Sequence, residues 1–161
     1  MNKLNTISTV ASTMAAALTL AFSAGAAQAQ SYGADIGVEA AKKVAAGVVA
    51  ECAKNSWRVA VAVVDTHGEL VYFEKMDDTQ IASVKIAIAK ASGAATFRRP
   101  TRVFFDVINK GGPATGTLPG VIGSPGGIPI VVGGKLIGAV GVSGVTGDQD
   151  EQCSKAGAGV P

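Results

Sequence analysis

The sequence predicts an α+β domain in which a five-stranded antiparallel sheet is flanked by helices. Two pairs of strand-like runs carry this reading. RVAVAVVD (Arg58–Asp65) and ELVYFEKM (Glu69–Met76) are β-branched and aromatic and meet across Thr66-His67-Gly68; residues 128–132 and 135–142 flank Gly133-Gly134. Strands delivered in such hairpins pair antiparallel, without the crossovers that parallel sheets need. Around them apolar residues recur at three-to-four spacing, the helical period. Composition agrees: 161 residues, 48% hydrophobic and 16% charged, make one globular domain. Twenty-one glycines against five Phe, two Tyr and one Trp require a core of small aliphatic side chains packed closely. A formal charge of +2 is too weak a field to gather nucleic acid or anionic lipid.

Residues 1–29 read as a secretory signal. Lys3 precedes an apolar run from Ile7 to about Ala24, and Ala27-Gln28-Ala29 has the small-x-small form of a cleavage site. Ser8, Thr9, Ser12, Thr13 and Thr19 dilute the run below the roughly 20 apolar residues of a membrane anchor. Cleavage after Ala29 leaves the domain at 30–161, in the periplasm or outside the cell. Asp35 to about Lys54 is the first helix, with Asp35 as its cap. The first hairpin follows. Ile81–Phe97 is the second helix, its helical spacing running through Ile81, Val84, Ile88, Ala91, Ser92 and Ala95. Pro100-Thr101 breaks it before a short third helix, Arg102–Lys110. Residues 111–127 form a long Gly/Pro-rich loop enclosing one short strand, Leu118–Ile122, and the second hairpin follows. A last helix, Asp148–Ala158, carries Asp148, Asp150 and Glu151 at its positive end.

Few residues offer chemistry. His67 is the only histidine, so any catalytic triad or multi-histidine metal site must pass through it. It is either a solvated turn residue or an axial heme ligand. Asp148 is either a charge complementing the helix dipole or a ligand for a hard cation. Lys90, Arg98 and Arg99 are cations near a helix end, suited to a carboxylate such as a heme propionate or to a solvated face. Cys52 ends the stripe Ala41, Ala45, Val48, and Cys153 precedes Ala156 and Gly157. Export permits a Cys52–Cys153 disulfide if the terminal helices are neighbours; two buried thiols are the alternative. No close C-x-x-C pair is present for zinc, and no phosphate-cradling G-x-x-x-x-G-K-[ST].

Several segments carry a family resemblance. Gly126-Gly127-Ile128-Pro129-Ile130, Gly134-Lys135-Leu136-Ile137-Gly138-Ala139-Val140-Gly141-Val142-Ser143-Gly144 and Asp148-Gln149-Asp150-Glu151 resemble the GGxPI, GxxIGAxGVSG and QDE segments of the GlcG-like family. This family is also called the heme-degrading-domain or HbpS-like family. Ala62-Val63-Val64-Asp65 with Gly68, Lys75-Met76-Asp77, and Ala87–Ala91 with Ala94, Ala95, Pro100 and Thr101 agree with its upstream pattern. The resemblance spans residues 35–158 and implies a profilin- or roadblock-like layered fold. It also implies neighbouring terminal helices and homo-oligomers from dimers to octamers. In heme-binding relatives the resemblance implies that the porphyrin is associated with an oligomer surface near the Pro-Gly piece, here Pro119-Gly120-Val121, and Thr101 belongs to the same set of candidate contacts. Val121 has no side-chain atom that can ligate iron, and Lys85 and Ile88 stand where acidic iron-binding residues would be needed.

The leading expectation is an exported oligomeric protein that binds heme or a related tetrapyrrole. A second is an enzyme or accessory protein for a glycolate-type hydroxy acid, with Lys75, Lys90, Arg98 and Arg99 clamping the carboxylate. A third is an oligomeric scaffold with no small ligand. No base and nucleophile are arranged in the sequence for a reaction.

Overall fold

The longest strand, Lys135–Ser143, is the one on which the sheet is built. The computed structural model describes residues 30–161, so the expected secretory signal at 1–29 lies outside the described residues. Within them the order is β1 (Ser31–Tyr32), α1 (Val38–Lys54), β2 (Ala60–Val64), β3 (Leu70–Lys75), α2 (Ser83–Phe97) and α3 (Arg102–Asn109). A 3-10 turn (Pro113–Thr117), β4 (Gly127–Val132), β5 (Lys135–Ser143) and α4 (Gly147–Ala158) complete it. β4 pairs antiparallel along one edge of β5. The other edge is shared: β2 takes Ala139–Ser143, and β3 pairs outside β2, both antiparallel.

Two expectations about the sheet need correction. The sheet is mixed, because β1 runs parallel to β5 through Ser31↔Lys135 and Tyr32↔Leu136. It occupies the stretch of β5 edge that β2 leaves open, where Gly33 N–H donates to Leu136 O at 2.7 Å and Ile36 N–H to Ile137 O at 2.8 Å. Those groups would otherwise lack partners. The fifth strand is thus β1, and Leu118–Ile122 is not a strand. Pro119 has no N–H to give a ladder, Gly120 takes φ +81, and Val121 N–H closes a turn onto Leu118 O at 3.1 Å.

The two sheet faces differ in side-chain size. Along β2, Val61 and Val63 point to one face, and Ala60, Ala62 and Val64 to the other, the period of two that a strand imposes. The valine face joins Ile128, Ile130, Val140 and Val142 under α1 and α4. The alanine face receives Ala87, Ala91, Ala94 and Ala95 of α2. That contact is unusually close: a Cβ on Gly141 would lie 2.1 Å from Ala87 O, and one on Gly127 2.2 Å from Lys90 O. Of the spacing read from the sequence, Ala91 and Ala95 are buried with Ala87 and Ala94, while Val84 and Ile88 are half-buried, Ile88 packing at the edge of the alanine cluster. Ile81 precedes the helix and is 92% exposed.

The helix ends differ from expectation at one point. Asp35 does not cap α1, which begins after Gly37 without a side-chain cap; its carboxylate instead accepts from the Thr66 N–H and hydroxyl. α4 begins with a capping box, in which Thr146 Oγ1 accepts from Gln149 N–H and Gln149 Oε1 from Thr146 N–H.

α1 and α4 lie side by side, as the resemblance implied, and Cys52 and Cys153 are bonded across their seam with Cα atoms 5.6 Å apart. Both are fully buried. The bridge closes 101 residues, and constraint of the unfolded chain by a loop of that size is worth up to about 4.7 kcal/mol. Thiol titration of the unfolded, unreduced protein should find no free cysteine. The Cys52→Ala/Cys153→Ala variant should lose about 2–5 kcal/mol in urea denaturation.

Candidate functional site

Seven residues enclose an open cleft of about 440 Å³ beside α2. Lys85, Ile88, Ala89 and Ser92 form one wall; spaced i, i+3, i+4 and i+7, they share one helix face. Gly120, Val121 and Ile122 form the other. The turn bearing them seats directly on the helix, since a Cβ on Gly93 would come within 3.0 Å of Gly120 O. Phe97 supports it from below: a Cβ on Gly120 would be 3.7 Å from its ring, which packs edge-on against Phe104 with centroids 5.0 Å apart. The walls are thus aliphatic, with one ammonium, that of Lys85, at the rim. Lys85 is exposed and has no hydrogen bond or ion pair among the described residues.

Of the residues singled out from the sequence, Gly120 and Val121 line this cleft, and Pro119 shapes the turn that bears them. The others lie elsewhere. Lys90 is 1% exposed, and its Nζ donates to Asp150 Oδ2 at 2.8 Å and to Val142 O at 3.0 Å. It joins α2 to β5 and α4 inside the protein, so it is not a ligand cation. Burial pushes the Asp150 carboxyl up from its ordinary value, while the Lys90 ammonium and the backbone N–H groups of Val145 and Gly144 draw it down. Thr101 is fully buried: its N–H donates to Gly127 O and its Oγ1 accepts from Gly127 N–H, both at 3.0 Å. It too is a packing residue.

The arginines are dispersed. Arg98, in the left-handed conformation at φ 53 after α2, donates from Nη1 to Gln30 O at 3.0 Å and lies 5.2 Å from the centre of the Tyr32 ring. It fastens β1 to the helix end. Arg99 is exposed, its Nε donating to Phe97 O at 3.1 Å. Asp148 pairs with Arg102, which also holds Glu151, so its place is in a surface ion-pair network. Lys155 completes that network with Glu151 at 2.8 Å.

His67 occupies a separate hollow with Tyr32, Gly33, Thr66 and Thr96. Its Nδ1 is 3.8 Å from Asp35 Oδ1, and its ring is largely exposed. Donation by the Thr66 hydroxyl and N–H holds the Asp35 carboxyl below its ordinary value of 3.8. Asp65 Oδ1 accepts from His67 N–H at 2.8 Å and Glu69 N–H at 3.0 Å, bonds that shape the hairpin turn. The sequence left out, as binding residues, Ile122 and the whole helix wall, Lys85, Ile88, Ala89 and Ser92. The signal that could have found the helix wall is an exposed i, i+3, i+4, i+7 stripe opposite the alanine one.

Replacing Lys90 by Met should strand a buried carboxylate and cost about 3–5 kcal/mol in equilibrium unfolding, whereas Arg99→Ala, on the surface, should cost less than about 1 kcal/mol.

The fold agrees with what comparison with known proteins finds. The family described as "Haem degrading protein HbpS-like" matches residues 36–159. Protein GlcG of Escherichia coli K12 is 42% identical over 93 residues, covering 58% of this chain and 69% of that protein. The crystal structure of HbpS superposes with a TM-score of 0.74 at 31% identity, covering 81% of this chain and 92% of that one. The PduOC:heme complex superposes with a TM-score of 0.71 at 24% identity, covering 79% and 95%, and shares the fold.

Proposed function

The chain belongs to the HbpS-like family, and from that premise we propose that it binds heme or a related tetrapyrrole in the cleft between α2 and the 118–122 turn. The observation that carries the reading is the cleft itself. A planar macrocycle with acidic side chains needs an apolar slot with a cation at its edge; Ile88, Ala89, Val121 and Ile122 offer the first and Lys85 the second. A protein of the same fold forms the PduOC:heme complex. When bound, heme would supply redox-active iron. This chain's residues would cover one macrocycle face and hold it away from water. No nucleophile paired with a base lines the cleft among the described residues, so the proposal is binding, with no reaction assigned.

Export and self-association belong to the same proposal. The Ala27-Gln28-Ala29 motif and the Cys52–Cys153 bridge support passage into an oxidising compartment, the periplasm or the exterior. Val103, Phe105 and Val107 on α3, with Leu118 in the cleft turn, leave apolar surface exposed in the single chain, which supports association with further copies. The hydroxy-acid reading loses two of its four cations: Lys90 is inside the protein and Arg98 is engaged with Gln30 and Tyr32, which leaves the exposed Lys75 and Arg99.

Titration of residues 30–161 with hemin at micromolar protein should give a saturable Soret change, and Val121→Asp should weaken it at least about tenfold, since an apolar wall would then carry a charge. No Soret change would overturn the reading. Thermal stabilisation by hydroxy acids alone would favour the enzyme alternative, and no response to either would favour a scaffold.

A further inference from the structure

We infer that the cleft recognises the macrocycle and one of its carboxylates, and that it does so without regard to the metal at the centre, with Lys85 as the carboxylate anchor. The inference rests on the tetrapyrrole reading above and restricts it.

The usual axial ligands of heme iron are imidazole, thiolate, thioether and phenolate aimed at the macrocycle face, and a lysine held as an ammonium has no lone pair to give. Among the described residues none of these groups lines the cleft, whose side-chain heteroatoms are Lys85 Nζ and Ser92 Oγ. The Ser92 hydroxyl is turned toward the β2–β3 turn, where a Cβ on Gly68 would stand 2.6 Å from it. The groups that could ligate are committed or distant. Cys52 and Cys153 are bonded to each other. Met76 and Tyr72 pack against the core cluster, with the Tyr72 hydroxyl donating to Glu74, and His67 and Tyr32 share the other hollow. The protein therefore offers iron nothing that it does not offer a metal-free ring.

What remains is shape and one charge. Ile88, Val121 and Ile122 give dispersion and burial to the ring face, contributions blind to the central atom. Lys85 is a point charge on a long stem at the rim, free of any ion pair among the described residues, and so able to meet a peripheral carboxylate. Of the cations singled out by the sequence, Lys90 is buried on Asp150, Arg98 is engaged with Gln30 and Tyr32, and Arg99 does not line the cleft.

The test compares hemin with metal-free protoporphyrin IX on the same protein, by absorption for the first and porphyrin fluorescence for the second. Dissociation constants within about fivefold of each other are expected. Lys85→Met should weaken both by a common factor of about ten and Lys85→Arg should restore both, because the lost interaction is a charge-assisted one to the ligand carboxylate. The hemin complex should keep a high-spin spectrum that His67→Ala leaves unchanged. Hemin binding more than tenfold tighter than the metal-free ring would overturn the inference while sparing the tetrapyrrole reading, as would a low-spin spectrum abolished by His67→Ala. Equal binding of both rings by Lys85→Met and the parent protein would remove Lys85 as the anchor. Failure of both rings to bind would overturn the inference and the reading beneath it together.

Discussion

The rest of the structure depends on how closely α2 can lie on the sheet. Helices usually pack with side chains between the backbones; here glycine and alanine remove most of that layer. Gly141 and Gly127 let the carbonyls of Ala87 and Lys90 approach to where a Cβ would stand, and Ala87, Ala91, Ala94 and Ala95 present only methyl groups. Once α2 is fixed at that depth, its outer face is fixed too, and Lys85, Ile88, Ala89 and Ser92 stand as one wall of the cleft. The glycine-rich composition is therefore the condition for the site, though only Gly120 lines it.

The close seat has a polar lock behind it. Lys90 reaches through from α2 to Asp150 and Val142 O; Ser154 Oγ donates to Gly126 O at 2.7 Å, and Thr101 brackets Gly127 from both its N–H and its hydroxyl. Arg102 extends the tie outward to Asp148 and Glu151. The residues of the GGxPI and QDE segments, together with Lys90 of α2 and Thr101 at the start of α3, thus meet one another and not the cleft. In this chain the most recognisable sequence features encode packing. The residues facing the proposed ligand are plain: isoleucine, valine, alanine and one lysine.

That division explains what the sequence disclosed and what it withheld. Both hairpins were legible because their information is local: β-branched runs with glycine in the turns. The four helices were legible from period and breakers. β1 was not, because two residues have no period and their strand character comes from β5, about a hundred residues away. Leu118–Ile122 looked like a strand because it is apolar, but Pro119 and Gly120 make it a turn. On α2 the spacing identified Ala91 and Ala95, which are buried, but not Ala87 and Ala94, because alanine carries little periodic signal and it is the close approach of β5 that selects for methyl groups. Lys90 read as a surface cation because its partner, Asp150, is 60 positions on. The cleft was half legible: Pro119-Gly120-Val121 could be named, but the wall facing it is visible only when the helix is seated.

The central claim is that Gly141 has no room for a side chain where α2 crosses β5. Equilibrium urea denaturation of Gly141→Ala beside Gly37→Ala tests it most directly, since a Cβ at Gly37 meets nothing within 4 Å and its φ of −79 suits alanine. The account predicts a loss of about 2–3 kcal/mol or more at Gly141 and under about 1 kcal/mol at Gly37. Equal small losses at both positions would contradict it.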